Sequence, residues 1–135
     1  MSEGGTVGIV LVSHSKEVAA AVAALATGLA GGRAAPVAPA GGTPDGGLGT
    51  SSELIAEAAA SVDGGAGVAV LVDLGSAILT VKALLAEGDE LPDATRLIDA
   101  PFLEGAVAAV VTASAGGDLD AVEAAASEAY GYRKV

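Results

Sequence analysis

The chain has 135 residues, with 6 Lys+Arg against 17 Asp+Glu and a formal charge of −11. So acidic a surface argues against nucleic acid as a partner, because phosphates need Lys and Arg to displace their counterions, and it favours a basic protein instead. Cysteine is absent and 52% of residues are hydrophobic, which excludes disulfide scaffolds and thiolate metal sites and points to one folded domain over residues 1–135 rather than a disordered chain.

The acidic start, Met1-Ser2-Glu3-Gly4-Gly5, lacks the basic region of a secretory leader. The longest apolar run, residues 18–32, falls short of the roughly 18 residues a bilayer span needs. The expected location is the cytoplasm, off the membrane.

Residues 7–12, Val-Gly-Ile-Val-Leu-Val, form a continuous apolar, β-branched run, as in a strand buried on both faces. Residues 15–30 carry apolar residues at helical spacing and stop at Gly31-Gly32. Residues 33–38 read as a weak second strand, which Pro36 and Pro39 confine to a sheet edge. Residues 41–49 are a Gly-rich loop. Thr50-Ser51-Ser52-Glu53 has capping-box spacing and opens a helix over residues 51–61. Asp63-Gly64-Gly65 turns the chain into a second central strand, residues 67–72, which ends at Asp73. A helix over residues 76–87 and a shorter strand over 95–99 follow. Residues 104–113 and 118–130 read as closing helices separated by Gly116-Gly117, and 131–135 as a frayed tail. Four strands alternating with helices predict an open, mostly parallel α/β sheet flanked by helices.

In such a sheet, sites form beyond the carboxyl ends of the strands, at a topological switch point. Four loops share that edge: Ser13-His14-Ser15, residues 41–51, Asp73-Leu74-Gly75-Ser76 and Asp99-Ala100-Pro101-Phe102. His14 is the only histidine. Its position suits function, and it equally suits a turn residue at a helix start. No metal site is expected, since there is no Cys and no carboxylate cluster is spaced around the histidine. G-x-S-x-G and G-x-G-x-x-G are absent, and no Lys precedes Thr50 or Ser51 to complete a P-loop. Asp73 reads either as a helix N-cap or as a partner of His14. In the second case, a carboxylate on one imidazole nitrogen leaves the other as a nucleophile. The Gly-rich loop is either a surface turn or a cradle of backbone amides for an anion. Phe102 reads as packing or subunit contact, and Glu87, Asp89, Glu90 and Asp93 as a solvated turn.

Four segments, taken together and in order, carry a resemblance. They are Gly8-Ile9-Val10-Leu11-Val12-Ser13-His14-Ser15, Gly46-Gly47-Leu48-Gly49-Thr50-Ser51, Leu71-Val72-Asp73-Leu74-Gly75-Ser76-Ala77 and Ala100-Pro101-Phe102-Leu103-Glu104-Gly105-Ala106. They resemble the phosphotransfer subunits of phosphotransferase-dependent dihydroxyacetone kinases, which belong with the mannose-type enzyme IIA domains. The resemblance covers nearly the whole chain. It implies a flavodoxin-like α/β fold, a homodimer and no cofactor. It also implies that His14 accepts a phosphoryl group on Nε2 from the phosphocarrier protein HPr, while Asp73 holds Nδ1. The group then passes to ADP on the nucleotide-binding subunit of the kinase. Helix-start and loop amides at Ser15, Gly49, Thr50, Ser51, Gly75 and Ser76 are the expected phosphate-binding groups, since they need no Lys or Arg.

Two alternatives stand beside this reading. Sugar-transporter enzyme IIA domains share the histidine motif, although Leu74-Gly75-Ser76-Ala77 and the A-P-x-x-E-G-A stretch are closer to the kinase branch. A non-catalytic flavodoxin-like module would instead bind a phosphorylated small molecule at the Gly-rich loop. Some relatives carry HPr-like and enzyme I-like domains after this one. With Val135 as the last residue here, those activities are expected from separate proteins.

Overall fold

The structure is a computed structural model that describes residues 5–135; the first four residues, Met1-Ser2-Glu3-Gly4, lie outside it. The elements run β1 (Gly8–Ser13), α1 (Lys16–Ala30), β2 (Val37–Gly41), α2 (Ser52–Val62), β3 (Val68–Val72), α3 (Gly75–Glu87), β4 (Thr95–Leu97), α4 (Phe102–Ser114) and α5 (Leu119–Glu128), closed by a 3-10 turn at Ala129–Gly131. The strands form one sheet in the order β2-β1-β3-β4, and every pair is parallel. This is the open parallel α/β sheet that the alternation of elements predicts. No helix among the described residues is long and apolar enough to cross a membrane.

The central strands are apolar throughout because helices cover both faces. Ile9, Leu11, Ala69 and Leu71 join the core beneath α1, α4 and α5. Val10, Val12, Val68 and Val70 join the core beneath α2 and α3. The alternation follows the two-residue period of a strand. The helices meet the sheet mainly through alanine, with Ala19, Ala23 and Ala26 buried on α1 and Ala106, Ala109 and Ala113 on α4. These small side chains let the helices approach closely. At Gly105 the approach is tighter still, since a Cβ there would lie 2.8 Å from Ala100 Cβ.

Several boundaries differ from expectation. β2 lies four residues beyond the expected start, because the Ala35 amide donates to Ser114 Oγ of α4 at 2.7 Å rather than joining the sheet. Pairing starts only where Ile9 N–H donates to Pro36 O at 2.9 Å. The capping box is not built on Thr50. Ser51 is the N-cap of α2, and its Oγ accepts from Leu54 N–H at 3.2 Å. Thr50 Oγ1 lies instead 2.9 Å from Thr80 Oγ1 on α3. β4 stops at Leu97, and α4 starts at Phe102, directly behind Pro101. In the exposed tail, Lys134 Nζ reaches Glu104 Oε2 at 2.7 Å. This bond holds the Glu104 carboxyl below the usual range.

Candidate functional site

From β1 the chain crosses to lay down β2 on one side, then returns to lay down β3 on the other. The switch point therefore falls between the carboxyl ends of β1 and β3. His14 follows the first strand and Asp73 the second. Asp73 N–H extends the ladder by donating to Val12 O at 3.0 Å, which sets the two residues side by side.

His14 Nδ1 lies 3.0 Å from Asp73 Oδ1, and His14 Nε2 lies 2.8 Å from Ser76 Oγ. The side chains are 26% and 17% exposed, so the pair is shielded but reachable. Asp73 gathers further donors. Its Oδ2 accepts from Ser13 Oγ at 2.9 Å and from His14 N–H at 3.0 Å, and its Oδ1 from Leu74 N–H at 2.7 Å. Burial pushes the Asp73 carboxyl up. The hydrogen bonds from the His14 amide, the His14 ring and the Ser13 hydroxyl push it further down, so it rests below its ordinary value of 3.8. It is therefore ionised at neutral pH and can only accept hydrogen bonds. The ring proton of the neutral imidazole then sits on Nδ1, and Nε2 offers its lone pair toward Ser76, whose hydroxyl donates.

Asp73 does not cap α3. The N-cap position is Leu74, with no side-chain hydrogen bond to the helix start, because the Asp73 carboxylate is turned to His14. The first amides of α3, at Gly75 and Ser76, are thus left without a side-chain cap. The other expected phosphate-binding residues are differently engaged. Ser15 donates its amide to Ser13 Oγ at 3.0 Å and caps α1 with its hydroxyl, which accepts from Val18 N–H at 3.2 Å. Gly49 N–H donates to His14 O at 2.9 Å. The hydroxyls of Thr50 and Ser51 serve the join to α3 and the cap of α2; these bonds do not engage their amides, the groups expected to meet phosphate. The Gly-rich loop is tied to itself: Gly46 N–H donates to Thr43 O and Gly47 N–H to Thr43 Oγ1, both at 2.9 Å. The Gly46 and Gly47 amides thus turn onto the loop itself and the Gly49 amide onto His14.

Two clefts flank the site. One of about 500 Å³ is bounded by Asp73, Leu74, Gly75, Lys82, Asp99 and Tyr130. There Tyr130 Oη donates to Asp99 Oδ1 at 2.6 Å, a bond that pushes the phenol up. The other, about 440 Å³, lies beside β2 and is bounded by Lys16, Gly41, Thr43, Leu54 and Glu57. Sequence reasoning missed two hydroxyls, those of Ser13 and Ser76. The first follows an unbroken apolar strand, where a buried polar group needs a partner. The second was expected to act only through its amide.

The family model described as PTS system fructose IIA component matches residues 8–123. The chain is 37% identical over 106 residues to PEP-dependent dihydroxyacetone kinase 2, phosphoryl donor subunit DhaM, of Listeria innocua; the match covers 78% of this chain and 84% of that one. It is 36% identical over 119 residues to PEP-dependent dihydroxyacetone kinase, phosphoryl donor subunit DhaM, of Escherichia coli, covering 86% of this chain but 25% of that one. The chain thus spans about a quarter of the length of the second relative. Among solved structures, unknown function protein EF1359 matches with a TM-score of 0.79 and 28% identity, over 96% of this chain and 98% of that one. A sigma-54 interaction domain protein from Enterococcus faecalis matches with a TM-score of 0.63 and 19% identity, over 89% and 87%, a likeness of fold alone.

Proposed function

Because the chain belongs to the mannose-type enzyme IIA family, we propose that it is the phosphohistidine relay of a phosphoenolpyruvate-dependent dihydroxyacetone kinase. The observation that carries this reading is the histidine at the switch point, with Nδ1 on the Asp73 carboxylate and Nε2 turned away from it. In this reading HPr is the donor, ADP on the nucleotide-binding kinase subunit is the acceptor, and the reaction takes place in the cytoplasm.

The chemistry balances without a metal. The lone pair of His14 Nε2 attacks the phosphorus carried on the donor's histidine. The new N–P bond forms as the donor's N–P bond breaks, and the donor ring keeps the electron pair of that bond. His14 becomes a cation while its proton stays on Nδ1, against the ionised Asp73. The Ser76 hydroxyl, released from Nε2, turns to a phosphoryl oxygen. The Gly75 and Ser76 amides at the start of α3 supply further donors where charge gathers. The second step is the reverse attack, with the β-phosphate oxygen of ADP displacing His14. Phosphoryl transfer of this kind depends mainly on positioning and charge stabilisation.

The strand-end loops carry Asp45, Asp73 and Asp99 and no Lys or Arg. An acidic rim disfavours capture of a free phosphate ester. It suits delivery by a basic protein. The family description names a sugar-transport component, and a transporter acceptor is the second reading; the relatives at 36–37% identity favour the kinase.

The test is the intact mass after incubation with phosphoenolpyruvate, enzyme I and HPr, for wild type and His14→Gln. One acid-labile phosphoryl group on wild type alone is expected. Its loss on addition of the ADP-loaded kinase subunit assigns the acceptor. No mass gain alongside phosphorylated HPr sinks the relay.

A further inference from the structure

Ser13 is the one buried polar residue among the described residues, and the relay above gives it no task. It ends β1, every residue of which is buried. Its hydroxyl sits between two fixed groups. The Ser15 amide donates to Ser13 Oγ at 3.0 Å, and an amide N–H can only donate. Ser13 therefore accepts there and directs its own proton to Asp73 Oδ2, 2.9 Å away. The direction of the chain is forced: Ser15 N–H to Ser13 Oγ, then Ser13 O–H to Asp73 Oδ2.

Oδ2 receives a second donor, the His14 amide at 3.0 Å. Oδ1 receives the Leu74 amide at 2.7 Å and faces His14 Nδ1 at 3.0 Å. Two donors thus meet each oxygen, which fills the roughly four acceptor positions of a carboxylate. The carboxylate cannot rotate and keep them all. Ser13 supplies the donor that comes from inside the sheet and is itself held by the start of α1.

We infer that Ser13 is a positioning residue, which locks the Asp73 carboxylate in the rotation that presents Oδ1 to His14 Nδ1 and so fixes which imidazole nitrogen remains as nucleophile. Its consequence for transfer rests on the relay reading; its effect on the imidazole does not.

The test uses ¹⁵N-histidine-labelled protein. Two-bond ¹H–¹⁵N correlations report which ring nitrogen of His14 carries the proton. Wild type and Ser13→Thr are expected to show the Nδ1–H tautomer. Ser13→Ala is expected to mix both tautomers and to slow phosphorylation by HPr about tenfold, the order set by losing a hydrogen bond to a charged group. Thermal unfolding of each variant establishes that it is folded. A folded Ser13→Ala with the wild-type tautomer overturns the inference, and so does a Ser13→Thr that behaves like Ser13→Ala. Should Ser13→Ala fail to fold, Ser13→Cys replaces it. The thiol fills similar space but donates weakly, so it must mix tautomers where Ser13→Thr does not. A tautomer change in a protein whose wild type takes no phosphoryl group sinks the relay and leaves the positioning role standing. Phosphorylation of wild type with an unmoved tautomer in Ser13→Ala does the reverse.

Discussion

Asp73 accepts from the amides of His14 and Leu74, the hydroxyl of Ser13 and the ring of His14. All of these need an acceptor, and in the proposed relay the phosphorylated ring would also need a negative charge. Asp73→Asn removes that charge and sets an NH₂ group against existing donors. The expected result is phosphorylation of His14 slowed by about 10²-fold or more, read by quench-flow with HPr in excess. A pH effect follows from the same bonds. The folded carboxyl lies below 3.8, so its contribution to stability is complete above that value and is lost as pH falls through the lower, folded one. Urea midpoints of wild type should therefore fall more steeply between about pH 5 and pH 2 than those of Asp73→Asn. Parallel curves would contradict this. The pairing of His14 with Asp73 was readable because each ends an apolar strand, and the topology makes those strands neighbours. The misplaced cap had a different origin. Thr50 and Ser51 both suit an N-cap, and the partner that draws Thr50 away, Thr80, is distant in sequence.

At the scale of elements, the strand read least well was β2. Its composition, Val-Ala-Pro-Ala-Gly, is a poor strand by propensity, and only tertiary pairing with β1 places it. Pro36 O and Gly42 N–H both bond β1, so the even-numbered residues face inward and Val37, Pro39 and Gly41 turn their backbone outward. Pro39 thus removes the middle donor from the open edge, a common defence against strand addition. Pro39→Thr is expected to raise self-association above wild type in sedimentation velocity, and unchanged profiles would refute that role. Gly41 does the opposite work, bringing elements together. A Cβ there would lie 2.4 Å from Ser15 O and 2.7 Å from Lys16 Cα, both backbone atoms at the start of α1. Gly41→Ala must push α1 away beside His14. A loss of about 1–3 kcal/mol is expected in urea unfolding, with slower phosphorylation.

For the molecule as a whole, the order of elements and the −11 charge act together. The alternation of apolar runs with helical spacing is what made the parallel sheet readable, and the sheet gathers all four loops at one end. The loops at that end carry Asp45, Asp73 and Asp99, with Lys16 and Lys82 in the clefts beside them, and the end also exposes leucines. Leu48 is 83% exposed in the loop after β2, Leu74 59% exposed after β3, and Leu103 45% exposed in the first turn of α4. Gly49 N–H grips His14 O, and Leu74 adjoins Asp73, so the first two flank the histidine. In the proposed relay, leucines exposed beside the histidine would form part of the surface that meets the donor protein. Charge and leucine contact should then act on different rate constants. Long-range attraction sets the encounter and is screened as the Debye length falls from about 30 Å at 0.01 M salt to about 3 Å at 1 M. Apolar contact sets how long the complex lasts. The bimolecular rate of phosphorylation by HPr should fall several-fold across that range in wild type. Leu48→Ser with Leu74→Ser should keep the same salt slope but raise the KM for HPr about tenfold, with little change at saturating donor. A salt-independent rate would remove electrostatic steering. An unchanged KM in the double variant would move the docking surface away from the leucines.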